Sequence, residues 1–367
     1  MFTPQRRCFY VLTVFAVLMA FSGITQASTL RAIENLTPLD AYVAAPDSSY
    51  TWELRRTQNG KDWTGYVLYM ASQTWLTEAE VDRPLWEHWL VIVVPDEVVS
   101  TTSFMMVGGG SNKEGNMPRG GDANLRRCAR ATGIICAQIH QIPNEPLYFK
   151  DEENKRRSED SIIAYTWDKF LRTGDSKWPL RLPMTKAVVR AMDTVQAFCA
   201  ADEGGKHQVE NFIVAGGSKR GWTTWTTAAV DNRVIACSPI VIDLLNLVPS
   251  FLHHYGAYGF WAPAVDDYVE MGIMNWLTSP EFDALMEIVE PYHYRDRLVN
   301  VPRLIMNGAG DQFFLNDSWR FYWDDLEGPK YLRYAPNSGH GMDRADAAGT
   351  LIEIGRASCR ERVCHRV

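Results

Sequence analysis

The chain has 367 residues, 46% of them hydrophobic, with 37 basic against 44 acidic side chains and a formal charge of −7. That length suits one large α/β domain with insertions and leaves two domains open. The acidic balance argues against nucleic acid or an anionic membrane surface as a partner.

At the N-terminus, Arg6-Arg7 precede an apolar stretch from Phe9 to Phe21, and Thr25-Gln26-Ala27 offers a small-residue cleavage site. Residues 1–27 therefore read as a secretory signal peptide. The apolar run is short for a membrane span and no second one follows, so the mature chain is expected to be secreted or periplasmic, without a span. At the other end, Glu353-Ile354-Gly355-Arg356-Ala357-Ser358-Cys359-Arg360-Glu361-Arg362-Val363 resembles a translated sequencing-library adapter. Residues 353–367 are set aside as an artefactual tail, leaving a domain at 28–352 whose natural C-terminal continuation is expected to differ. Without leader and tail the balance is 31 basic to 42 acidic, a charge of −11.

Thr51 to Leu54 and Gly65 to Met70 alternate like antiparallel strands, with Gln58-Asn59-Gly60 between them as a turn, and Trp89 to Val94 continues the pattern. Ser103–Val107, running into Gly108-Gly109-Gly110, and Gly133–Ile139 read as buried parallel strands, with a crossover helix from Asn124 to Ala131 between them. Helices follow from Glu159 to Leu171 and from Thr185 to Ala201, the second with apolar residues at helical spacing. Phe212-Ile213-Val214-Ala215 is the next buried strand and Trp222 to Val230 a helix; Val234-Ile235-Ala236-Cys237 through Ile242 is another strand. Leu244 to Asn300 interrupts this rhythm with aromatics, Pro280 and a capped helix at Ser279, and is expected to form an inserted helical lid. The pattern predicts a mostly parallel central sheet flanked by helices.

Between strand and helix stands Gly216-Gly217-Ser218-Lys219-Arg220-Gly221. A serine on a sharp turn there presents its hydroxyl, with a helix N-terminus aimed at the reacting oxygen. Arg220 stands where the usual G-x-S-x-G elbow has its second glycine, and Gly221 follows one place later. Two further strand-like segments end in glycine-rich turns, Asn307-Gly308-Ala309-Gly310-Asp311 and Ser338-Gly339-His340-Gly341. Ser218, Asp311 and His340 thus follow the α/β-hydrolase order, with intervals that fit a strand, a lid and a final helix and strand. His340 would act as general base, Asp311 would hold its tautomer, and the N–H of Lys219 with one from Gly109 or Gly110 would hold the oxyanion. Asp243, after the strand that follows the nucleophile, is an alternative acid. The Lys219 side chain reads either as a charge near the substrate or as a solvated lysine.

His253, His254 and His293 lack metal-ligand spacing, and this chemistry requires neither metal nor cofactor. Trp222 and Trp225 read as core, and Tyr255, Tyr258, Phe260, Trp261 and Trp276 as lid packing or pocket lining. Cys128, Cys136, Cys199 and Cys237 allow two disulfides in three connectivities or four buried thiols. Asn35-Leu36-Thr37 and Asn316-Asp317-Ser318 are glycan sequons.

The motif around Ser218 through Trp225, with Pro239-Ile240-Val241-Ile242-Asp243, Gly310-Asp311-Gln312-Phe313-Phe314-Leu315 and Lys330-Tyr331-Leu332-Arg333-Tyr334, resembles the PhoPQ-activated pathogenicity-related family from about Leu39 to Met342. The resemblance implies an exported α/β-hydrolase-like protein, first associated with bacterial genes under a virulence-sensing two-component system and similar to the autocrine proliferation repressor of social amoebae. It also implies a further C-terminal portion in longer members. The Ser-Lys elbow with glycine at the third following position is similar to the Ser-Arg-x-Gly elbow of glucuronoyl esterases. Two functional expectations follow: a serine hydrolase acting on a peptide, small-molecule or sugar ester, or a non-catalytic secreted protein meeting a cell-surface partner.

Overall fold

A computed structural model of the chain describes residues 36–113 and 115–353. The leader, Asn35 of the first sequon and the tail beyond Glu353 lie outside the described residues. Strands β1 (Thr51–Gly60), β2 (Trp63–Thr74) and β3 (Leu85–Pro95) form an antiparallel meander. Its first turn is at Lys61-Asp62 rather than Gln58-Asn59-Gly60: Asn59 and Gly60 stay in register with Thr64 and Trp63, and Asp62 takes a φ of 66°. A two-residue connection matches the twist of the flanking strands. Gly60 instead makes room for an aromatic ring, since a Cβ there would stand 2.0 Å from the Trp63 indole.

Strands β4 (Thr102–Val107), β5 (Cys136–Ile139), β6 (Asn211–Gly217), β7 (Val234–Ile240), β8 (Arg303–Gly308) and β9 (Lys330–Ala335) complete a nine-stranded sheet in the order β1-β2-β3-β5-β4-β6-β7-β8-β9. β5 pairs antiparallel with β3, and every pairing from β5 to β9 is parallel. Both faces of the central strands are covered, which is why their sequences are apolar runs rather than alternations. Phe212 and Val214 enter one core, Ile213 and Ala215 the other.

The short helix α1 (Pro38–Ala44) opens the fold, and α2 (Ala123–Thr132) covers one face of the sheet with Leu125, Cys128 and Ala129. Helices α3 (Asp160–Thr173), α4 (Arg181–Ala200) and α5 (Lys219–Val230) build the other core. α4 is buried on nearly all sides. It begins at Arg181, four residues before the expected Thr185, and tolerates Pro183 in its first turn, where the missing N–H has no intrahelical partner to lose.

Between β7 and β8 the chain inserts α6 (Leu247–Tyr258), α7 (Asp266–Glu270) and α8 (Pro280–Val289), linked by 3₁₀ turns. α8 begins as its Ser-Pro start predicts: Ser279 Oγ accepts from Phe282 N at 3.1 Å, and Phe282, Leu285, Met286 and Val289 are buried. Among the described residues Cys128, Cys136, Cys199 and Cys237 are buried and form no disulfide, so the thiol alternative holds. Among the described residues no helix is long and apolar enough to cross a membrane.

Candidate active site

The end of β6 and the start of α5 hold Ser218 on a strained corner. Its φ is 56°, outside the region that L-residues favour, and its N–H donates to Ile240 O at 2.7 Å. The turn is crowded at two glycines. A Cβ on Gly216 would stand 2.6 Å from Arg220 O, and one on Gly221 would stand 2.9 Å from Gly216 O and 3.0 Å from Ile240 O. Gly221 thus meets the sheet in place of a glycine at 220, and the arginine does not distort the elbow.

Arg220 extends outward instead. Its Nε donates to Ile142 O at 2.5 Å, both terminal nitrogens bond Glu159 at 2.7 Å, and Nη2 lies 2.4 Å from where a Gly109 Cβ would stand. Lys219 is neither solvated nor free to reach a substrate: its side chain is buried and Nζ pairs with Glu159 at 2.7 Å and Asp160 at 2.9 Å. Glu159 N–H in turn donates to Glu145 at 2.6 Å. Burial and the neighbouring Glu159 push the Glu145 carboxyl up to about 7, whereas for Glu159 burial is outweighed by Arg220 and Lys219, which hold it well below the usual carboxylate range. One charge network therefore ties the elbow to α3 and to the Gly108–Gly110 loop. The backbone N–H groups of Lys219, Gly109 and Gly110 have no hydrogen-bond acceptor among the described residues.

Across the sheet, Asp311 and His340 meet on the turns after β8 and β9. His340 Nδ1 lies 2.9 and 3.0 Å from the two Asp311 oxygens, and Asp311 Oδ1 also accepts from Phe313 N at 2.8 Å. Gln312 Oε1 accepts from His340 N at 3.2 Å, and the Phe313 ring lies 4.2 Å from the imidazole. Gly308 lets the turns approach, because a Cβ there would stand 2.5 Å from Gly339 O. Ser218 Oγ makes no hydrogen bond to His340 among the described residues; such contacts commonly tighten only when a substrate binds.

Asp243, the alternative acid, is engaged elsewhere. Tyr322 and Tyr334 both donate to its carboxylate. Burial, with the charge of Asp311 adding to it and the tyrosine bonds opposing, pushes Asp243 up to about 6. The acid in contact with His340 is Asp311.

Ser218 lines a cavity of about 30 Å³. Trp222, which also donates from Nε1 to Val289 O at 2.5 Å, forms part of its wall, with Leu247, Phe251 and Tyr268 from the insertion. Tyr255, Tyr258 and Phe260 are exposed on the insertion, and Trp261 and Trp276 pack half-buried against the core; none of the five lines this cavity. His253 bonds Asp317 at 3.0 Å and His254 accepts from Ala262 N at 3.1 Å, so both serve packing. Arg181, Glu145, Glu159 and Asp160 were not legible as site residues. Their one sequence signal is the clustering of charge at the start of elements that are otherwise apolar.

The chain matches the PhoPQ-activated pathogenicity-related protein family over residues 39–364. It is 43% identical over 312 residues to autocrine proliferation repressor protein A of Dictyostelium discoideum, covering 83% of this chain and 61% of that protein. The chain thus spans about three-fifths of that relative's length. Solved structures with a similar course include acetyl xylan esterase 1 from a Thermoanaerobacterium species, with TM-score 0.55 and 14% identity over 88% of this chain and 91% of that one. Another is an S-formylglutathione hydrolase from Agrobacterium tumefaciens, with TM-score 0.50 and 14% identity over 84% and 99%. At such identity the likeness is one of fold, the α/β-hydrolase fold.

Proposed function

The chain belongs to the PhoPQ-activated pathogenicity-related protein family, and on that footing we propose that it is an exported serine hydrolase cleaving an ester or amide through Ser218, His340 and Asp311. The observation that carries the reading is the contact of Asp311 with His340 Nδ1 at 2.9 Å, on the same sheet edge as a serine with φ 56° at a helix N-terminus. Asp311 fixes the Nδ1–H tautomer, leaving Nε2 to accept a proton. As the Ser218 Oγ–carbonyl bond forms, the Oγ proton passes to His340. The oxyanion receives N–H donors from Lys219 and from Gly109 or Gly110, a contribution of ~3–4 kcal/mol per donor in the transition state. Collapse breaks the bond to the leaving group, which takes the proton from the imidazolium. Water then cleaves the acyl-enzyme by the same route. No step needs a metal or cofactor.

The Lys219 and Arg220 side chains hold the elbow and the glycine loop in place, and the charges that bind them are internal. Fluorophosphonate labelling of the purified protein, beside Ser218→Ala and His340→Ala, tests this reading. Labelling lost in both variants supports it, and a folded wild-type protein that takes no label overturns it. A second reading, a non-catalytic signalling protein meeting a cell-surface partner, is favoured by the name of the Dictyostelium discoideum relative. Under it, Ser218→Ala keeps full biological effect.

A further inference from the structure

Three cations surround the Ser218 elbow, and two have matched acids. Lys219 and Arg220 share Glu159 at 2.7 Å, and Lys219 also pairs with Asp160 at 2.9 Å. Arg181 has none. Its residue is 3% exposed, it lines the same small cavity as Ser218, and no carboxylate lies within ion-pair distance among the described residues. Nη1 donates to Lys219 O at 2.9 Å, the guanidinium lies 4.5 Å over the Trp222 ring, and Nε has no hydrogen-bond partner. Asp160, which lines the same cavity and attracts Arg181 only at longer range, pairs with Lys219 at 2.9 Å and accepts from the Tyr268 hydroxyl at 3.0 Å. A buried charge without a partner is costly, and a planar guanidinium with an unused N–H suits a carboxylate, which accepts two parallel bonds. The cavity is small, about 30 Å³ against the ~10–15 Å³ that holds one water on the same measure, so it admits a short group, and apart from Asp160, Arg181, Ser218 and Lys219 its walls are largely apolar or aromatic.

We propose that Arg181 receives a carboxylate of the substrate, so that the preferred substrates are esters or amides of short acyl groups ending in a carboxylate. The inference rests on Ser218 as the nucleophile. The test compares 4-nitrophenyl hemisuccinate with 4-nitrophenyl butyrate, two esters of equal chain length that differ in a terminal carboxylate against a methyl. In each, Ser218 Oγ takes the acyl group, 4-nitrophenolate leaves, and water releases the acid.

The wild-type protein is expected to favour the hemisuccinate at least tenfold in kcat/KM. Arg181→Met should lower kcat/KM for the hemisuccinate at least tenfold more than for the butyrate and so remove that preference, and Arg181→Lys should restore part of it. Equal losses on both esters would show that Arg181 only supports the elbow, and a wild-type preference for butyrate would overturn the proposal. Calorimetric titration of Ser218→Ala with acetate supplies a readout that needs neither turnover nor folding of Arg181→Met. Acetate binding that Arg181→Lys weakens supports the subsite even if fluorophosphonate labelling fails, and no binding overturns it.

Discussion

The two halves of the candidate site are held by different forces. On the elbow side, Ser218, Lys219 and Arg220 sit in buried backbone and a charge network that reaches Glu145, Glu159 and the Gly108–Gly110 loop. On the histidine side, His340 is fixed by Asp311, Gln312 and the Phe313 ring, on surface turns. On the proposed mechanism the elbow half would carry folding and chemistry together, whereas the histidine half would carry chemistry on a scaffold that stands without it.

The sharpest way to break this contrast is removal of the proposed reacting groups. Ser218→Ala and His340→Ala should each lower turnover by roughly 10³–10⁴-fold or more, with melting temperatures near that of the wild type. A large drop in melting temperature for His340→Ala would show that the histidine half is structural after all.

Next in size is a pH effect that separates Asp243 from Asp311. Because burial raises Asp243 in the folded protein to about 6, its contribution favours folding at low pH and fades as pH rises through 6. Asp243→Asn stays neutral, so its stability relative to the wild type should climb by roughly 3 kcal/mol between pH 4 and 7. Denaturant midpoints at several pH values read this directly, and a constant difference would refute it.

The elbow's crowding makes a paired test. Gly221→Ala places a Cβ against two backbone oxygens at 2.9 and 3.0 Å and should cost about 2 kcal/mol together with activity. Gly217→Ala meets nothing nearer than Val241 Cγ2 at 3.9 Å and should be nearly neutral. If both behave alike by thermal unfolding, the turn is less confined than its geometry implies.

The smallest expected effect belongs to Arg220→Met. Breaking a fully buried pair costs ~3–5 kcal/mol, but the Glu159 side chain is 43% exposed, so a loss of about 1–2 kcal/mol is expected. Loosening the Gly109 loop should lower kcat more than it raises KM, since an oxyanion contact matters chiefly in the transition state.

Much of this architecture was legible in the chain. Apolar runs ending at Gly216 and Gly308 mark parallel strands because residues covered on both faces cannot alternate. Glycine-rich turns mark where two backbones approach. Boundaries governed by packing were less legible: the Gln58-Asn59-Gly60 turn signal gave way to the fit of Trp63, and α4 began at Arg181 despite Pro183. The sequence named Asp311 with Asp243 as its alternative; in the structure Asp311 contacts His340, while Asp243 accepts from Tyr322 and Tyr334, distant from it in sequence.

By itself the sequence determined the sheet, the order of Ser218, Asp311 and His340, and the glycines that let each turn close, because hydrophobic period and backbone sterics are local properties. Only the tertiary structure decided which charges meet. Arg220 reaches Glu159 from 61 residues away, and Arg181 reaches Lys219 O from 38 residues away while Asp160, on the same cavity, pairs with Lys219 instead. Ion pairing inside a protein depends on burial and on distances of a few ångströms, which the fold sets and residue spacing does not.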